Sequence, residues 1–430
     1  LKIAVIGSGY VGLTAAVGFA RSGHQVVCID IDTKRVEMLM AGECPIFEEG
    51  LEQELKAGLK AGSLFFATHT DGLLSDVQVV FVTVGTPGNA DGSVHLNSVQ
   101  EVVKNIAKVL RRDQLVVIKS TVPVGTCNTL KQALPHLEIV SNPEFLREGM
   151  ALQDFLFPQR VIVGTDSQSA AQILKEIYNP IVRDSQKFLV MDPSSAEMSK
   201  YAANAMLAAR ISFMNEMSQL CEKFGADIQL VHQGIGSDSR IGMEFLNAGV
   251  GFGGSCLPKD INALIDLGAS HGVELPMIHG IRLTNQRQKT FFAHKVMKSI
   301  ENLNSVQIGI WGLSFKPQTD DIRESPALEI IEYFLQQGLH VRVFDPVAMS
   351  AVQQNFKFAG QITFAADPLS AAQNCDVLCI MTEWVEFTDI DLQDLKLSMK
   401  TPRVFDGRNI FDPVVMKKHG IEYHGIGRSL

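Results

Sequence analysis

The chain has 430 residues, of which 46% are hydrophobic and 20% charged, as in an ordinary globular protein with two or three domains. A formal net charge of -9 argues against nucleic acid or an anionic membrane surface as the main partner, but it does not exclude anionic small ligands. Seven scattered cysteines predict no disulfide framework. We expect neither a signal peptide nor a membrane helix, and we therefore expect a cytoplasmic protein.

The first third of the sequence alternates apolar, β-branched runs with helical patterns. The predicted strands are, in chain order, KIAVIG, QVVCID, VQVVFVTVG, QLVVIKS and RVIVG. Continuous apolar strands separated by helices predict a parallel sheet that is covered on both faces. We therefore expect an α/β domain over residues 1–193.

A long helix is predicted from about Pro193 to Gly225, with Ser194 or Ser195 as its N-cap. Helical pattern continues to about residue 300, which predicts a central helical region over residues 194–300. One chain does not cover all the apolar faces of such a helix, so we expect a dimerisation surface there.

Strand and helix patterns alternate again in the last third of the chain. The predicted strands are VQIGIWG, HVRVFDP, CDVLCIMT, RVFDG and IEYHGIG. The sequence therefore predicts a second Rossmann-like domain over residues 301–430.

The motif VIGSGYVG contains Gly7, Gly9 and Gly12 in a G-x-G-x-x-G pattern between a predicted strand and a predicted helix. This context is typical of a dinucleotide-binding turn, in which the pyrophosphate lies at the helix N-terminus. Asp30 ends the next predicted strand and would accept hydrogen bonds from the adenosine ribose. It would also repel a 2′-phosphate, which favours NAD over NADP, although Arg35 nearby could accept that phosphate.

Two i, i+4 pairs carry chemistry-bearing side chains. Glu144 and Glu148 follow a proline in NPEFLREG, where a helical turn would place both carboxylates on one face. They are either a catalytic pair with separated pKa values or two solvated surface acids. Lys200 and Asn204 lie within the apolar part of the long helix, where the lysine either reaches solvent or stabilises an oxyanion with Asn204 as co-donor.

A third i, i+4 pair, Cys256 and Asp260, follows the glycine run in GFGGSCLPKD. Pro258 fits a first helical turn. Cys256 is then either a reactive thiol, whose thiolate the helix start favours, or an inert, buried cysteine in a tight turn. A nucleophilic cysteine combined with a dinucleotide site indicates that an aldehyde is oxidised while it is bound covalently to the protein. The thiolate can add to an aldehyde, and oxidation of that adduct gives a thioester that water hydrolyses. The residues thus suggest a four-electron oxidation of a primary alcohol to a carboxylate.

Over essentially its whole length the sequence resembles the UDP-glucose/GDP-mannose dehydrogenase family. The resemblance rests on GSGYVG, VGTP, KSTVPVGT, NPEFLREG, EMSKYAANAMLAARISFMNE, RIGMEFLNAGVGFGGSCLPKD, GLSFKPQTDDIRESPA and FDGRNIFD. It implies two Rossmann-like domains joined by a helical dimerisation region, with NAD as the cofactor and UDP-glucose as the substrate. GDP-mannose and UDP-N-acetylmannosamine are the alternative substrates within the family.

The resemblance also implies roles for individual residues. Cys256 would be the nucleophile, and Lys200 and Asn204 would stabilise the oxyanion. Thr121, Glu144 and Asp260 would position or deprotonate water, and Glu148 would assist the first oxidation. The implied cofactor residues are Gly7, Gly9, Tyr10, Val11, Gly12, Asp30, Arg35, Thr86, Thr121, Glu148, Lys259 and Arg323. The implied substrate residues are Phe145, Leu146, Lys200, Asn204, Arg240, Phe245, Leu246, Gly253, Phe315, Lys316 and Arg408, with Arg240 reaching into the site of a second subunit.

Two readings from other classes stay open at this stage. One is a two-electron dehydrogenase of a small hydroxy acid with a merely structural Cys256, and the other is a protein that senses NAD or a nucleotide-sugar without turnover.

Overall fold

The computed structural model describes residues 1–89, 91–301, 303 and 305–428. Its contacts divide the chain into two compact units, Leu1–Ala203 and Asn204–Leu430. The division falls within the predicted long helix. The expected three-part arrangement, with boundaries after residues 193 and 300, stays a prediction.

The first unit is built on one eight-stranded sheet. Its strands are β1 (Lys2–Ile6), β2 (Gln25–Ile29), β3 (Leu64–Ala67), β4 (Val79–Val82), β5 (Leu115–Ile118), β6 (Glu138–Ser141), β7 (Val161–Gly164) and β8 (Phe188–Met191). Their spatial order is β3-β2-β1-β4-β5-β6-β7-β8, and only β6 and β7 pair antiparallel. The first six strands thus have the dinucleotide-binding order, with the chain reversing direction across the sheet between β1 and β4.

Helices cover the sheet because its central strands are buried on both faces, which gives the unit two apolar cores. The helices of this unit are α1 (Tyr10–Arg21), α2 (Thr33–Met40), α3 (Leu51–Lys60), α4 (Asn97–Ile106), α5 (Thr126–Ala133), α6 (Ala151–Leu156) and α7 (Gln168–Tyr178). The next helix, α8 (Pro193–Phe224), begins in the first unit and continues into the second. The predicted long helix is confirmed as α8, but the predicted serine N-cap is wrong. Asp192 accepts the N–H of Ser195 at 2.9 Å, because α8 begins one residue earlier than the serines.

The second unit contains a six-stranded, fully parallel sheet of order β11-β10-β9-β12-β13-β14. Its strands are β9 (Gln307–Trp311), β10 (His340–Phe344), β11 (Ile362–Phe364), β12 (Val377–Ile380), β13 (Arg403–Asp406) and β14 (Glu422–Gly425). Its further helices are α9 (Ile228–Gly236), α10 (Leu257–Ser270), α11 (Pro276–Ile300), α12 (Pro326–Gln336), α13 (Met349–Asn355), α14 (Pro368–Ala372), α15 (Val385–Thr388), α16 (Leu392–Ser398) and α17 (Pro413–Lys418). The strand order repeats that of the first six strands of the other sheet, so the predicted pair of Rossmann-like sheets is confirmed.

Every strand predicted from sequence is present, and four further strands, β3, β6, β8 and β11, complete the sheets. Within the described part of the chain, no helix combines the length and the apolar character that a membrane span needs.

Candidate functional site

The turn between β1 and α1 has the backbone geometry that a dinucleotide phosphate requires. Gly7 has a φ of 100°, and its N–H donates to Ile29 O at 2.8 Å. A Cβ at Gly12 would overlap the carbonyl of Gly7, so glycine is what lets α1 pack this closely on the turn. A Cβ at Gly9 would meet no described atom within 4 Å. The backbone at Gly9 is therefore open to a pyrophosphate at the N-terminus of α1.

Asp30, at the end of β2, is held as a carboxylate beside this turn. Its Oδ2 accepts the N–H of Ser8 at 2.6 Å and the hydroxyl of Ser8 at 2.7 Å. Burial alone would raise the pKa of Asp30, but hydrogen bonds from Ser8 and Asp32, with the charge of Arg35, hold that pKa below its usual value. An ionised, half-buried Asp30 fits the ribose hydroxyls of NAD, so the glycine turn and this carboxylate together fit the cofactor.

Tyr10, which lies within the glycine motif, also connects α1 to a distant loop through its hydroxyl. Its hydroxyl donates to Glu48 and accepts the N–H of Gly149, in the turn that contains Glu148. Glu48 is buried and also accepts the N–H of Leu152 at 3.3 Å. The start of α1 is thereby joined to the loop that carries both predicted glutamates. Sequence reasoning missed Glu48, which stands in no chemical motif.

The carboxyl ends of β4 and β5 bring two predicted cofactor residues together. The hydroxyl of Thr86 donates to the carbonyl of Thr121 at 2.8 Å. Glu197, on α8, accepts the N–H of Gly125 at 2.6 Å and the N–H of Cys127 at 2.9 Å, which fixes the end of the loop that carries Thr121. Sequence reasoning missed Glu197, whose only signal is its place in a long motif.

Glu144 and Lys200 form a buried ion pair. Lys200 Nζ lies 2.9 Å from Glu144 Oε1, and the two side chains are only 5% and 6% exposed. Burial alone would raise the pKa of Glu144, but the charge and hydrogen bond of Lys200, the N–H of Leu146 and the charge of Lys119 together lower it. The ring of Phe145 lies 5.3 Å from Lys200 Nζ. Glu144 is therefore an ionised carboxylate, and the alternative of a solvated surface acid is wrong for it.

The expected helical turn through Glu144 and Glu148 is wrong. Residues 142–147 are irregular, Glu148 lies in a turn, and α6 begins only at Ala151. The reason is local, because Glu144 Oε2 accepts the N–H of Leu146 at 2.5 Å and so competes with helical backbone hydrogen bonds.

Cys256 and Asp260 lie at the start of α10, as predicted. Cys256 is the residue that precedes the helix, and its carbonyl accepts the N–H of Asp260 at 2.9 Å. Asp260 is 1% exposed and accepts Asn204 Nδ2 at 2.6 Å and Lys259 Nζ at 2.7 Å. Asn204 and Lys259 are thus both oriented by one buried carboxylate. Lys200 and Asn204 lie one turn apart on α8, each hydrogen-bonded to a buried acid.

The glycine run before Cys256 is held by a buried side chain of α11. Asn285 accepts the N–H of Phe252 at 2.8 Å and donates to the carbonyl of Phe252 at 3.0 Å. Gly254 has a φ of 86°, and its N–H donates to Arg323 O at 2.9 Å. A Cβ at Gly254 would lie 2.7 Å from the ring of Phe315. The glycines are therefore required by close packing, and sequence reasoning missed Asn285.

Arg408 is hydrogen-bonded to the backbone of Phe315, another predicted substrate residue. Its guanidinium donates to Met381 O at 2.8 Å and to Phe315 O at 3.2 Å. Leu246 is 3% exposed, and Phe245 has a φ of 60°, an unusual backbone conformation for a bulky residue. Two other predicted cations are in ion pairs: Arg323 with Asp321, and Arg240, 86% exposed, with Asp238.

An open glycine turn at the start of α1, followed by a carboxylate at the end of β2, defines the first unit as the nucleotide-binding part of a dinucleotide-dependent dehydrogenase. Three family models match the chain: the NAD binding domain over residues 1–182, the central domain over residues 194–287 and the UDP binding domain over residues 309–413. The chain belongs to the UDP-glucose/GDP-mannose dehydrogenase family and is an NAD-dependent oxidoreductase.

Individual relatives agree with this membership. The chain is 41% identical over 442 residues to the UDP-glucose 6-dehydrogenase of Pseudomonas aeruginosa, covering 100% of this chain and 98% of the relative. It is similar in structure to a UDP-glucose dehydrogenase from Pyrobaculum islandicum, with a TM-score of 0.91, 35% identity and coverage of 100% and 98% of the two chains. A UDP-N-acetylmannosamine dehydrogenase from Pyrococcus horikoshii gives a TM-score of 0.87 at 27% identity, with coverage of 100% and 99%.

Proposed function

We propose that the chain oxidises UDP-glucose to UDP-glucuronate in two successive hydride transfers, with Cys256 as the covalent nucleophile. The observation that carries the proposal is the placing of Lys200 and Asn204 one turn apart on α8, each held by a buried carboxylate. Such an ammonium and amide pair suits an oxygen that becomes negative during the reaction. The 41% identity to a UDP-glucose 6-dehydrogenase supports the choice of sugar.

The first oxidation converts the sugar's primary alcohol to an aldehyde. Glu148 is the proposed acceptor of the hydroxyl proton, which leaves oxygen as the hydride leaves carbon. Bound NAD would supply the hydride acceptor, with one NAD molecule consumed in each of the two oxidations. Gly7, Gly9 and Asp30 would hold it, with Thr86, Arg323 and Lys259 as further proposed contacts.

The second oxidation begins on Cys256. Its thiolate adds to the aldehyde carbon, and the carbonyl electron pair moves to oxygen to form a thiohemiacetal oxyanion. Lys200 and Asn204 donate to that oxygen. Loss of the second hydride from the same carbon gives a thioester on Cys256.

Hydrolysis of the thioester completes the reaction. Thr121, Glu144 and Asp260 position or deprotonate a water molecule, which adds to the thioester carbon and expels the Cys256 thiolate. Glu144 and Asp260 are suited to this because both carboxylates are buried and already orient the donors Lys200 and Asn204. The sugar leaves as a carboxylate.

The nucleotide part of the substrate is assigned to residues of the family's UDP binding region, of the segment that precedes Cys256 and of the loop that carries Glu144. These are Phe145, Leu146, Phe245, Leu246, Gly253, Phe315, Lys316 and Arg408. Arg408 supports this assignment because it is 15% exposed and tied to the carbonyl of Phe315. Arginine also suits a diphosphate geometrically.

A second copy of the chain is the proposed partner of α8. Met206, Phe213 and Leu220 repeat every seven residues on this helix and are 58%, 50% and 51% exposed. An exposed apolar stripe with this period is typical of a helix that packs against another helix. Arg240, 86% exposed, would then reach into the partner's site. Sedimentation of a Phe213→Glu variant tests this, since an unchanged oligomeric state would exclude the stripe as the interface.

The decisive experiment counts NADH per sugar for UDP-glucose, GDP-mannose and UDP-N-acetylmannosamine. The mechanism requires two NADH molecules to form for each UDP-glucose oxidised. Formation of only one NADH per sugar would exclude the thioester step. If the enzyme instead turned over GDP-mannose or UDP-N-acetylmannosamine efficiently, that nucleotide-sugar would be its substrate and the mechanism would be the same. Tight NAD or sugar binding without turnover would favour a sensor.

Cys256→Ser tests the nucleophile. We expect turnover to fall by roughly 10³-fold or more, because serine lacks the easily formed thiolate. Cys44→Ser is the matched control, since Cys44 is also half-buried and lies in no proposed step. Equal activity of the two variants would favour a structural Cys256 and a two-electron dehydrogenase.

A further inference from the structure

The second unit contains a fully buried acid to which the proposed mechanism assigns no step. Asp406 ends β13 and is 0% exposed. Its Oδ1 accepts the N–H of Arg408 at 3.0 Å, and its Oδ2 accepts the N–H of Phe411 at 3.1 Å. The hydroxyl of Tyr423, on β14, donates to the same Oδ2 at 2.9 Å. One carboxylate therefore holds two backbone positions of the Arg408 turn (residues 407–411).

The Arg408 turn also contacts the glycine run that leads to Cys256. The N–H of Val250 donates to Gly407 O at 3.0 Å. Arg408 Nη1 lies 3.5 Å from Gly251 O. A Cβ at Gly407 would overlap the side chain of Val250, so the two segments are in close contact. A displacement of the Arg408 turn would therefore displace the glycine run as well.

The side chain of Arg408 is oriented by the groups around it. Its Nε donates to Met381 O at 2.8 Å, and its Nη2 donates to Phe315 O at 3.2 Å. Its Nε also lies 3.2 Å from a carboxylate oxygen of Glu383. An arginine that is already held in one orientation loses less conformational entropy when it binds a phosphate group. The affinity that Arg408 provides thus depends on where its backbone is fixed.

We propose that Asp406 is a positioning residue that fixes Arg408 for the nucleotide diphosphate and supports, through Gly407, the segment before Cys256. This inference rests on the proposed function, because that function takes Arg408 as a substrate contact. Asp406 is fully buried, so it acts through the turn and not on the substrate. One buried carboxylate then connects the binding of the nucleotide with the placement of the nucleophile.

The test measures the Kd for UDP by calorimetry, and the KM values for UDP-glucose and NAD, in Asp406→Asn and Asp412→Asn. Asparagine has the size of aspartate but a single oxygen, so one N–H of the Arg408 turn would face an amide N–H. Asp412→Asn is the matched control, because exposed Asp412 also accepts two backbone N–H groups, at the start of α17. In Asp406→Asn we expect the Kd for UDP and the KM for UDP-glucose to rise roughly ten-fold, with the KM for NAD unchanged. An unchanged Kd for UDP, or an equal rise in both KM values, would overturn the proposal.

A double-mutant cycle tests whether Asp406 acts through Arg408. Arg408→Met removes the guanidinium and keeps an unbranched side chain. In the Arg408→Met background we expect Asp406→Asn to change the Kd for UDP less than two-fold. A roughly ten-fold effect of Asp406→Asn in both backgrounds would contradict action through Arg408.

Tyr423→Phe covers the case in which Asp406→Asn does not fold. It removes only the hydroxyl that bonds Asp406 and Phe411 O. Tyr333→Phe is its control, because Tyr333 is half-buried on α12 and lies in no proposed step. We expect the Kd for UDP to rise roughly three-fold in Tyr423→Phe and to stay constant in Tyr333→Phe. The same Kd in both variants would overturn the role of the Asp406 carboxylate.

Hydrogen exchange without ligand separates this proposal from the proposed function. The amides of Arg408, Phe411 and Val250 should lose protection in Asp406→Asn and keep it in Asp412→Asn. Unchanged protection would overturn the positioning role, whichever sugar the enzyme oxidises. A wild type that binds no UDP would instead overturn the substrate assignment, and one NADH per sugar would overturn the thioester mechanism.

Discussion

Replacing Asn285 by leucine should loosen the loop that carries Cys256. The two side chains are similar in size, but leucine would leave the N–H and the carbonyl of Phe252 without their partners at 2.8 and 3.0 Å. Phe252 is 7% exposed, so water does not readily replace either bond. Each unsatisfied buried group costs about 1–3 kcal/mol, so we expect a total of about 2–6 kcal/mol.

Hydrogen exchange and kinetics would measure this effect where it occurs. The Phe252 amide should lose protection in Asn285→Leu, and kcat should fall by roughly ten-fold or more because the thiol of Cys256 is no longer held in place. Gln286→Leu is the matched control, since Gln286 is the next residue of α11 and is exposed. If Asn285→Leu lowered the urea midpoint no more than Gln286→Leu and left Phe252 protected, the reasoning would be refuted.

Three further substitutions test other parts of the two units. Gly254→Ala should reduce kcat, because the new Cβ would lie 2.7 Å from the ring of Phe315 at a φ of 86°; normal kinetics would contradict this packing. Asp30→Asn should raise KM for NAD and reduce the preference of the enzyme for NAD over NADP. The ratio of kcat/KM with NAD to kcat/KM with NADP measures this preference. Burial raises the pKa of Glu197, so the folded state holds this proton more tightly and loses stability as the pH rises above the ordinary value of 4.5. Glu197→Gln should therefore lose less stability than the wild type between about pH 5 and about pH 7, as urea midpoints would show.

The sequence was most informative where burial and local pattern coincide. Central strands such as β4 and β5 are buried at every position, so a continuous apolar run identified them. The edge strands β3, β8 and β11 have three or four residues and partly exposed faces, which leaves no such run. Their pairing is set by neighbouring strands and not by their own composition.

The sequence predicted the site residues that belong to a recognisable motif. It did not predict the isolated polar residues that hold those site residues in place. Glycine spacing predicted Gly7 and Gly12, and i, i+4 spacing placed Asp260 one turn from Cys256. The supporting residues have partners far along the chain: Lys119 bonds a tyrosine 59 positions away, and Asn285 bonds a loop 33 positions away. One signal was available for Lys119, since a charge directly after a fully buried central strand is unusual.

The supporting residues explain why acids and bases in this chain can be buried without losing their charges. Lys200 and Glu144 form a buried ion pair in which the two charges offset each other. Removing either partner would leave an uncompensated buried charge. Burial alone would raise the pKa of Glu144, and the carboxyl stays ionised because Lys200, the N–H of Leu146 and the charge of Lys119 together outweigh that effect. Lys119 is itself held by two neutral side chains, those of Asn142 and Tyr178, so its charge can act on Glu144 without a directly bonded acid of its own among the described residues.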